Sequence, residues 1–281
     1  MKTVADTLGV SRSNLHRRVT EAPRARESYR KAGDAELLAS IRAITDARPT
    51  YGYRRVCALI NRERAALGRP PCNHKRIYRV MKQAGLLLQR HTGRPRGRTH
   101  DGKIAVMTSN RRWCSDALEF SCWNGDVVRV VFVLDAHDRE VIAWQAVVGC
   151  GIGGDHVRDM MLAAVERRFG RLRAPVPVEW LSDNGSPYTA KPTLDMAAAL
   201  NLVPCFTPVA SPESNGMAEA FVKTFKRDYV RVNPIPDAHS ALRQLTGWFE
   251  DYNENHPHSG LKMRSPRAFF RAQNQPAACP I

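Results

Sequence analysis

The sequence predicts an α/β protein: a mixed β-sheet flanked by helices, with an all-α region in front of it. Three observations point there. The apolar periodicity is helical up to about residue 90 and changes to strand-like runs beyond about residue 106. A stretch rich in Gly, Pro and Arg separates the two regimes, "HTGRPRGRTHDGK" at 91–103. The charge is also divided: residues 1–100 hold 23 Lys+Arg and 7 Asp+Glu, a net of +16, whereas residues 101–281 hold 20 of each.

That division bears on partners. All the excess positive charge lies in the first third, the signature of a part that meets a polyanion. The apolar share of 43% is enough for a sizeable core, and no run of 18 apolar residues exists. The first residues contain no apolar signal core, and the seven cysteines are scattered with no C-x-x-C. Reduced thiols in a cytosol-like compartment are expected, with no membrane span.

Residues 3–19 read as two short helices around Gly9-Val10-Ser11, with Ser11 able to cap the second. Polar and basic residues at that helix start (Arg12, Asn14, His16) suit phosphate and base contacts, and the pair resembles the last two helices of a helix-turn-helix. Residues 34–90 read as three helices. Asp34 is expected to cap the first and Asn73 the third, with Pro49 and Gly85 as stops. The last helix is basic, as in a small DNA-binding bundle. The organisation expected is a partial helix-turn-helix-like segment (1–33), a helical DNA-binding domain (34–90), a basic linker (91–105), a catalytic domain (106–272) and a tail (273–281).

In the second regime, 111–120, 126–135 and 140–148 read as three successive strands. A helix opening at Asp155 and stopped by Gly170 comes next, then a strand over 176–183, a helix over 191–200 and a strand over 202–206. A further helix runs from about Ser214 to Tyr229, and a last one covers 238–253. Three strands succeeded by alternating units give a mixed sheet in which the first and fourth strands can be neighbours.

Three carboxylates stand out. Asp116 lies mid-strand between Cys114 and Leu118, on one face with them. An ionised carboxylate there is costly without a partner or a metal. Asp183 ends the fourth strand, and Asn184-Gly185 turn the chain away. Glu219 sits at the edge of the apolar face of its helix, with Lys223 and Lys226 in line at i+4 and i+7. Taken singly, each has an ordinary structural explanation. Brought together, they are what two Mg²⁺ ions require for in-line phosphoryl displacement. Asp135 is the one rival to Asp116, but its neighbours Asp138 and Arg139 suggest a charged turn. His256 and His258 read as loop residues that pack or touch DNA, and Trp113 and Trp144 as core.

The segments "YGYRRV" (51–56), "RWCSDALEF", "LSDNGSPY", "SPESNGMAEAFVKTFKRD" and "YNENHPHSGLKMRSP" (252–266) together resemble the DDE-type transposases of insertion sequences, whose core is similar to retroviral integrases. The 35 residues between Asp183 and Glu219 (219 − 183 − 1) match that family's spacing. The resemblance implies a ribonuclease-H-like fold and a metal-binding catalytic set of Asp116, Asp183 and Glu219. It implies Mg²⁺ as cofactor, two ions with Mn²⁺ as substitute. It also implies hydrolysis at element ends and then 3′-OH strand transfer. Contacts to double-stranded DNA, both terminal repeats and target, are expected from Lys226, Lys223, Asn184 and Asn215, and from Arg54, Arg55, Lys75, Arg76 and Arg79. A homo-oligomer on DNA is expected, with an upstream-frame protein fused on or assisting, in the bacterial cytoplasm and at the nucleoid. A DNA-binding regulator would share the basic first third but has no use for converging carboxylates. A nuclease on the same fold would cut without joining.

Overall fold

A computed structural model describes residues 2–20, 31–89, 106–207 and 216–274. The linker 91–105 and residues 275–281 of the tail therefore lie outside the described residues, as does Asn215.

Five strands form one sheet: β1 (Arg112–Ser121), β2 (Val127–Asp135), β3 (Val141–Val148), β4 (Val178–Ser182) and β5 (Leu202–Phe206). Their order is β3-β2-β1-β4-β5. β1 pairs antiparallel with β2 and parallel with β4, so the sheet is mixed and the first and fourth strands are neighbours as expected. Along β1 the side chains alternate between two cores. Trp113 faces α6 (Gly154–Phe169) and α8 (Lys191–Ala199), where Met160, Val165 and Ala197 are buried. Cys114, Leu118 and Phe120 face α9 (Gly216–Phe225) and α10 (Ala238–Asn255), against Phe221, Phe225 and Phe249. Gly170 closes α6 in the left-handed region, φ 63°.

Several details depart from the sequence expectation. The strand ending at Asp183 stops one residue earlier, at Ser182. A short helix, α7 (Ser186–Thr189), and a last one, α11 (Pro266–Asn274), add to the predicted set. After Phe225 the helix widens into a π-turn over Lys226–Val230. The Asp135–Arg139 turn is a turn, but not a surface one. Asp135 and Asp138 are both fully buried, and Arg168 from α6 lies against them. Backbone N–H groups of Asn110 and His137 donate to Asp135 at 2.6 and 2.7 Å. The signal for this was not local, because Arg168 lies 30 residues away from Asp138.

The first region contains α1 (Lys2–Thr7) and α2 (Arg12–Thr20), the second capped by Ser11 Oγ at 3.2 Å from the Asn14 N–H. Next come α3 (Asp34–Ala47), α4 (Tyr53–Ala66) and α5 (His74–Gln83), closed around Ile41, Val56, Ile60, Ile77 and Met81. Asn73 caps α5 as expected, accepting from the Lys75 N–H at 2.8 Å. Asp34 does not cap α3. Its carboxylate is taken by Arg76 and Arg79 at 2.8 and 2.6 Å.

This three-helix unit is docked on the sheet domain. Arg48 donates through both nitrogens to Asp251 at 2.6 and 2.5 Å. Tyr51 Oη meets His256 Nδ1 at 3.0 Å, and Arg55 reaches Asp228 at 2.9 Å. His256 and Tyr51 are buried by this contact, so His256 packs between the units. Among the described residues no helix is long and apolar enough to cross a membrane.

Candidate active site

Asp116 belongs by alternation to the β1 face that carries Cys114 and Leu118, and it is half-buried at the rim of that core. Its Oδ1 accepts from the Ala117 N–H at 2.8 Å. Burial pushes its carboxyl up to about 6, and the like charges of Asp183 and Glu219 push in the same direction. The three carboxylates therefore share one electrostatic neighbourhood.

The parallel pairing explains why. Cys114 lies opposite Leu181, and both point into the α9–α10 core. Two residues further along each chain come Asp116 and Asp183, on the same face. Asp183 stands just past β4, exposed, with Oδ1 accepting from the Gly185 N–H at 3.0 Å. Gly185 has an ordinary φ of −61°, so left-handed freedom is not the reason for glycine here. A Cβ at this position would lie 3.0 Å from Asp183 Oδ1. The glycine leaves room for the carboxylate. Asn184 donates to the Thr207 carbonyl at 2.8 Å and ties together the loops that leave β4 and β5.

Sequence reasoning missed the support beneath this loop. Tyr188 is buried and its hydroxyl lies 2.9 Å from Ser115 Oγ, which also donates to the Phe132 carbonyl at 3.0 Å. Ser115 is the odd-numbered neighbour of Asp116 and points to the opposite face. A hydroxyl in an otherwise apolar strand position was the available signal.

Glu219 lies in the first turn of α9, where the positive end of the helix dipole favours a carboxylate. Its Oε2 is 3.1 Å from Lys223 Nζ, the i+4 pair read from the sequence. Lys226 opens the π-turn, and the extra residue per turn rotates the helix beyond it out of that line. Lys226 is half-buried there. Among the described residues no three metal-ligating side chains already converge on one point. The donor set nonetheless suits a hard divalent cation. It consists only of carboxylate oxygens, and burial, with the like charges of the other two added to it, holds the Asp116 carboxyl at about 6, a cost that a bound cation would relieve.

Comparison with known proteins decides the family. Residues 32–94 match the family described as HTH-like domain, and residues 108–212 and 202–266 match the Integrase core domain. The chain is 49% identical over 272 residues to the "Transposase InsD for insertion element IS2D" of Escherichia coli, covering 95% of this chain and 90% of that one. The chain belongs to the insertion-element transposases. It is also 63% identical over 194 residues to the "Insertion element IS136 uncharacterized protein Atu4601" of Agrobacterium fabrum, covering 69% of this chain and all of that one. Among solved structures, the catalytic core domain of BIV integrase covers 58% of this chain and 96% of its own at 17% identity, with a TM-score of 0.39, too loose to build on.

The transposase is thus a DNA-acting polynucleotidyl transferase of the DDE type, a family that works with a divalent metal. Its HTH-like match falls on the α3–α5 bundle. Of the basic residues expected to touch DNA there, the fold leaves Arg54 and Lys75 exposed. Arg54 also stacks on and donates to Tyr53. Arg76 and Arg79 instead hold Asp34, and Arg55 holds Asp228 across the domain seam. These three are engaged in internal ion pairs.

Proposed function

We propose that Asp116, Asp183 and Glu219 are the catalytic carboxylates of this transposase and that they hold two Mg²⁺ ions, which Mn²⁺ can replace. The observation that carries this reading is the β1–β4 register, which lays Asp116 beside Asp183 under the helix bearing Glu219. Bound there, the ions would supply Lewis-acid activation of the attacking oxygen and charge stabilisation of the leaving one in an in-line displacement.

The protein groups have separable tasks. Asp116 stands on the sheet and Asp183 directly after β4, so the β1–β4 pairing just before them directs both to one end of the sheet. Glu219 comes from a helix and pairs with Lys223 until a better cation is present. Lys223, Lys226, Asn184 and Asn215 border the carboxylates in space or sequence and are assigned to the DNA backbone near the scissile bond. Arg54 and Lys75 are assigned to DNA held by the α3–α5 bundle. The reaction is hydrolysis at an element end to free a 3′-OH, then attack of that hydroxyl on a target phosphodiester. It takes place on terminal repeats and target DNA in the bacterial cytoplasm, at the nucleoid. It is carried out by a homo-oligomer that the upstream-frame protein assists or extends.

The test is joining of a labelled element-end duplex into plasmid in Mg²⁺ or Mn²⁺, by the wild type, Asp183→Asn and Glu219→Gln. Joining by the wild type alone is expected. Joining by either variant at wild-type rate would remove that residue from the site. Cutting without joining would make the chain a nuclease on this fold.

A further inference from the structure

A cavity of about 220 Å³ lies on the seam between the HTH-like bundle and the core, away from the carboxylates. Met217, Ala220, Phe221 and Thr224 give it one side of α9. At about 100° per residue, Glu219 and Lys223 fall on roughly the opposite side of that helix. With about 30 Å³ of liquid volume per water, the space admits several waters or one phosphate group with part of its sugar.

The charge around this cavity does not balance. Arg55 and Arg227 both pair with the single carboxylate of Asp228, at 2.9 and 2.6 Å. Arg139, from the turn after β2, is half-buried and lines the same cavity. Its guanidinium makes no hydrogen bond or ion pair among the described residues. Its charge bears instead on Cys114, Tyr252 and His258, all inward-facing groups. His256 and His258 add no charge of either sign, since burial disfavours the imidazolium of both. His258 Nε2 is buried and has no partner among the described residues. Two guanidiniums, Arg55 and Arg139, thus line the cavity with no carboxylate among its lining residues, beside an orphaned ring nitrogen. A partly buried cation without a counter-ion is costly, and so is a buried polar atom without a hydrogen bond.

We infer that this cavity receives a backbone phosphate of bound DNA, held by the Arg139 guanidinium and the Nε2 of His258. A guanidinium fork matches phosphate oxygens, and the seam joins the domain matched as HTH-like to the core that acts on DNA. The inference rests on DNA being the transposase's partner and not on the metal site.

The experiment is fluorescence-anisotropy titration of the full chain with an element-end duplex, without divalent metal, for the wild type and Arg139→Gln. Position 139 has φ 65° with arginine already in place, so glutamine adds no new backbone strain. Each phosphate contact contributes about 0.9 to the slope of log K against log salt, so losing one should lower the slope by about that much. Between about 50 and 200 mM salt, the wild type should then lose roughly threefold more affinity than the variant. Thermal unfolding of the free variant should be unchanged or shifted upward, because an unpaired charge has been removed. An unaltered slope overturns the inference, whether or not the melting temperature falls. Inorganic phosphate that stabilises the wild type but not Arg139→Gln, with the slope unaltered, would assign the cavity to a small anion and also overturn it. Because no cleavage is read, failure of the carboxylate proposal leaves this result intact.

Discussion

Asp116 and Asp183 each follow by two residues the last pair of the parallel β1–β4 register, Cys114 with Leu181, and their carboxylates act on each other. Their proximity is a property of the backbone and so precedes any ligand. Two adjacent carboxylates without a cation oppose each other, which is part of why the Asp116 carboxyl is pushed up to about 6 from an ordinary 3.8.

Metal should therefore stabilise the folded chain, and should do so in a pH-dependent way. Without metal, folding raises the Asp116 pKa, so its contribution to stability is fully present below about pH 4 and is lost as pH rises through about 6. Metal binding needs the ionised form, so its stabilising effect should grow over the same interval. At a concentration near 100 times its Kd, Mg²⁺ should add about 2.7 kcal/mol at pH 7.5. Thermal unfolding with Mg²⁺ and with EDTA, at pH 5 and 7.5, checks this. Asp183→Asn should show little shift at either pH. An equal shift in that variant would mean that the ion sits elsewhere.

The buried imidazoles make a separate prediction. His258 is packed against Arg139, Arg55 and His256, with Asp228 as the nearest opposing charge, and burial lowers its pKa to about 3. The unfolded state binds the proton near 6.5, so stability from this group is whole above that value and declines as pH falls toward 3. At pH 5 the loss should be about 2 kcal/mol, taking 1.36 kcal/mol per pH unit below 6.5. The difference between wild type and His258→Gln in urea unfolding at pH 7.5 and 5 measures it, because Asp116, Asp135 and His256 also contribute in that window and are common to both. His258→Gln should lose less stability than the wild type across that interval. Carboxylates such as Asp251, with lowered pKa values, lose their contribution only below their ordinary range, outside this window.

The domain seam can be tested through Arg48 and Asp251. Both side chains are about a quarter exposed, and the bond is two-pronged. Asp251 also accepts from Tyr229 Oη and Asn255 Nδ2. Removing it orphans three donors, whereas removing Arg48 orphans one acceptor that keeps two partners. Asp251→Asn should thus cost more than Arg48→Met, on the order of 2 kcal/mol against 1. A double-mutant cycle by urea unfolding should give a coupling of about 1 kcal/mol or more. Additive effects would mean that the seam is held by Tyr51 and His256 instead.

Where the sequence was legible, the period of the side chains made it so. Alternation along residues 112–121 placed Cys114, Asp116 and Leu118 on one face, and the sheet put them there. The apolar helix faces in the core were read equally directly, with Phe221, Phe225, Leu245 and Phe249 all buried. What could not be read depends on residues far apart in the chain. Arg55, Arg76 and Arg79 read as basic surface residues in one dimension, and only folding reveals the carboxylates that they pair with. Asn184-Gly185 read as a turn, but what asks for glycine at 185 is the space that the Asp183 carboxylate needs. The π-turn that opens at Lys226 is another feature that the spacing does not announce.

The most severe structural lesion should come from a residue far from any chemistry. Arg168 is 5% exposed and reaches three carboxylates, Asp135, Asp138 and Glu140, of which the first two are wholly buried. The backbone donors around Asp135 satisfy its hydrogen-bonding capacity but not its charge. Replacing Arg168 with methionine keeps much of the stem packing and removes the cation that stands against that buried pair. Breaking such an arrangement from one side typically costs 3–5 kcal/mol, about half of a typical domain's stability. Arg168→Lys should recover only part of this, since one ammonium cannot span three carboxylates as a forked guanidinium does. Arg168→Met should therefore unfold at much lower urea than the wild type, and protonation of Asp135, whose carboxyl burial already pushes up to about 6, should narrow the gap at pH 5. A loss under about 1 kcal/mol would mean that the buried pair needs no cation.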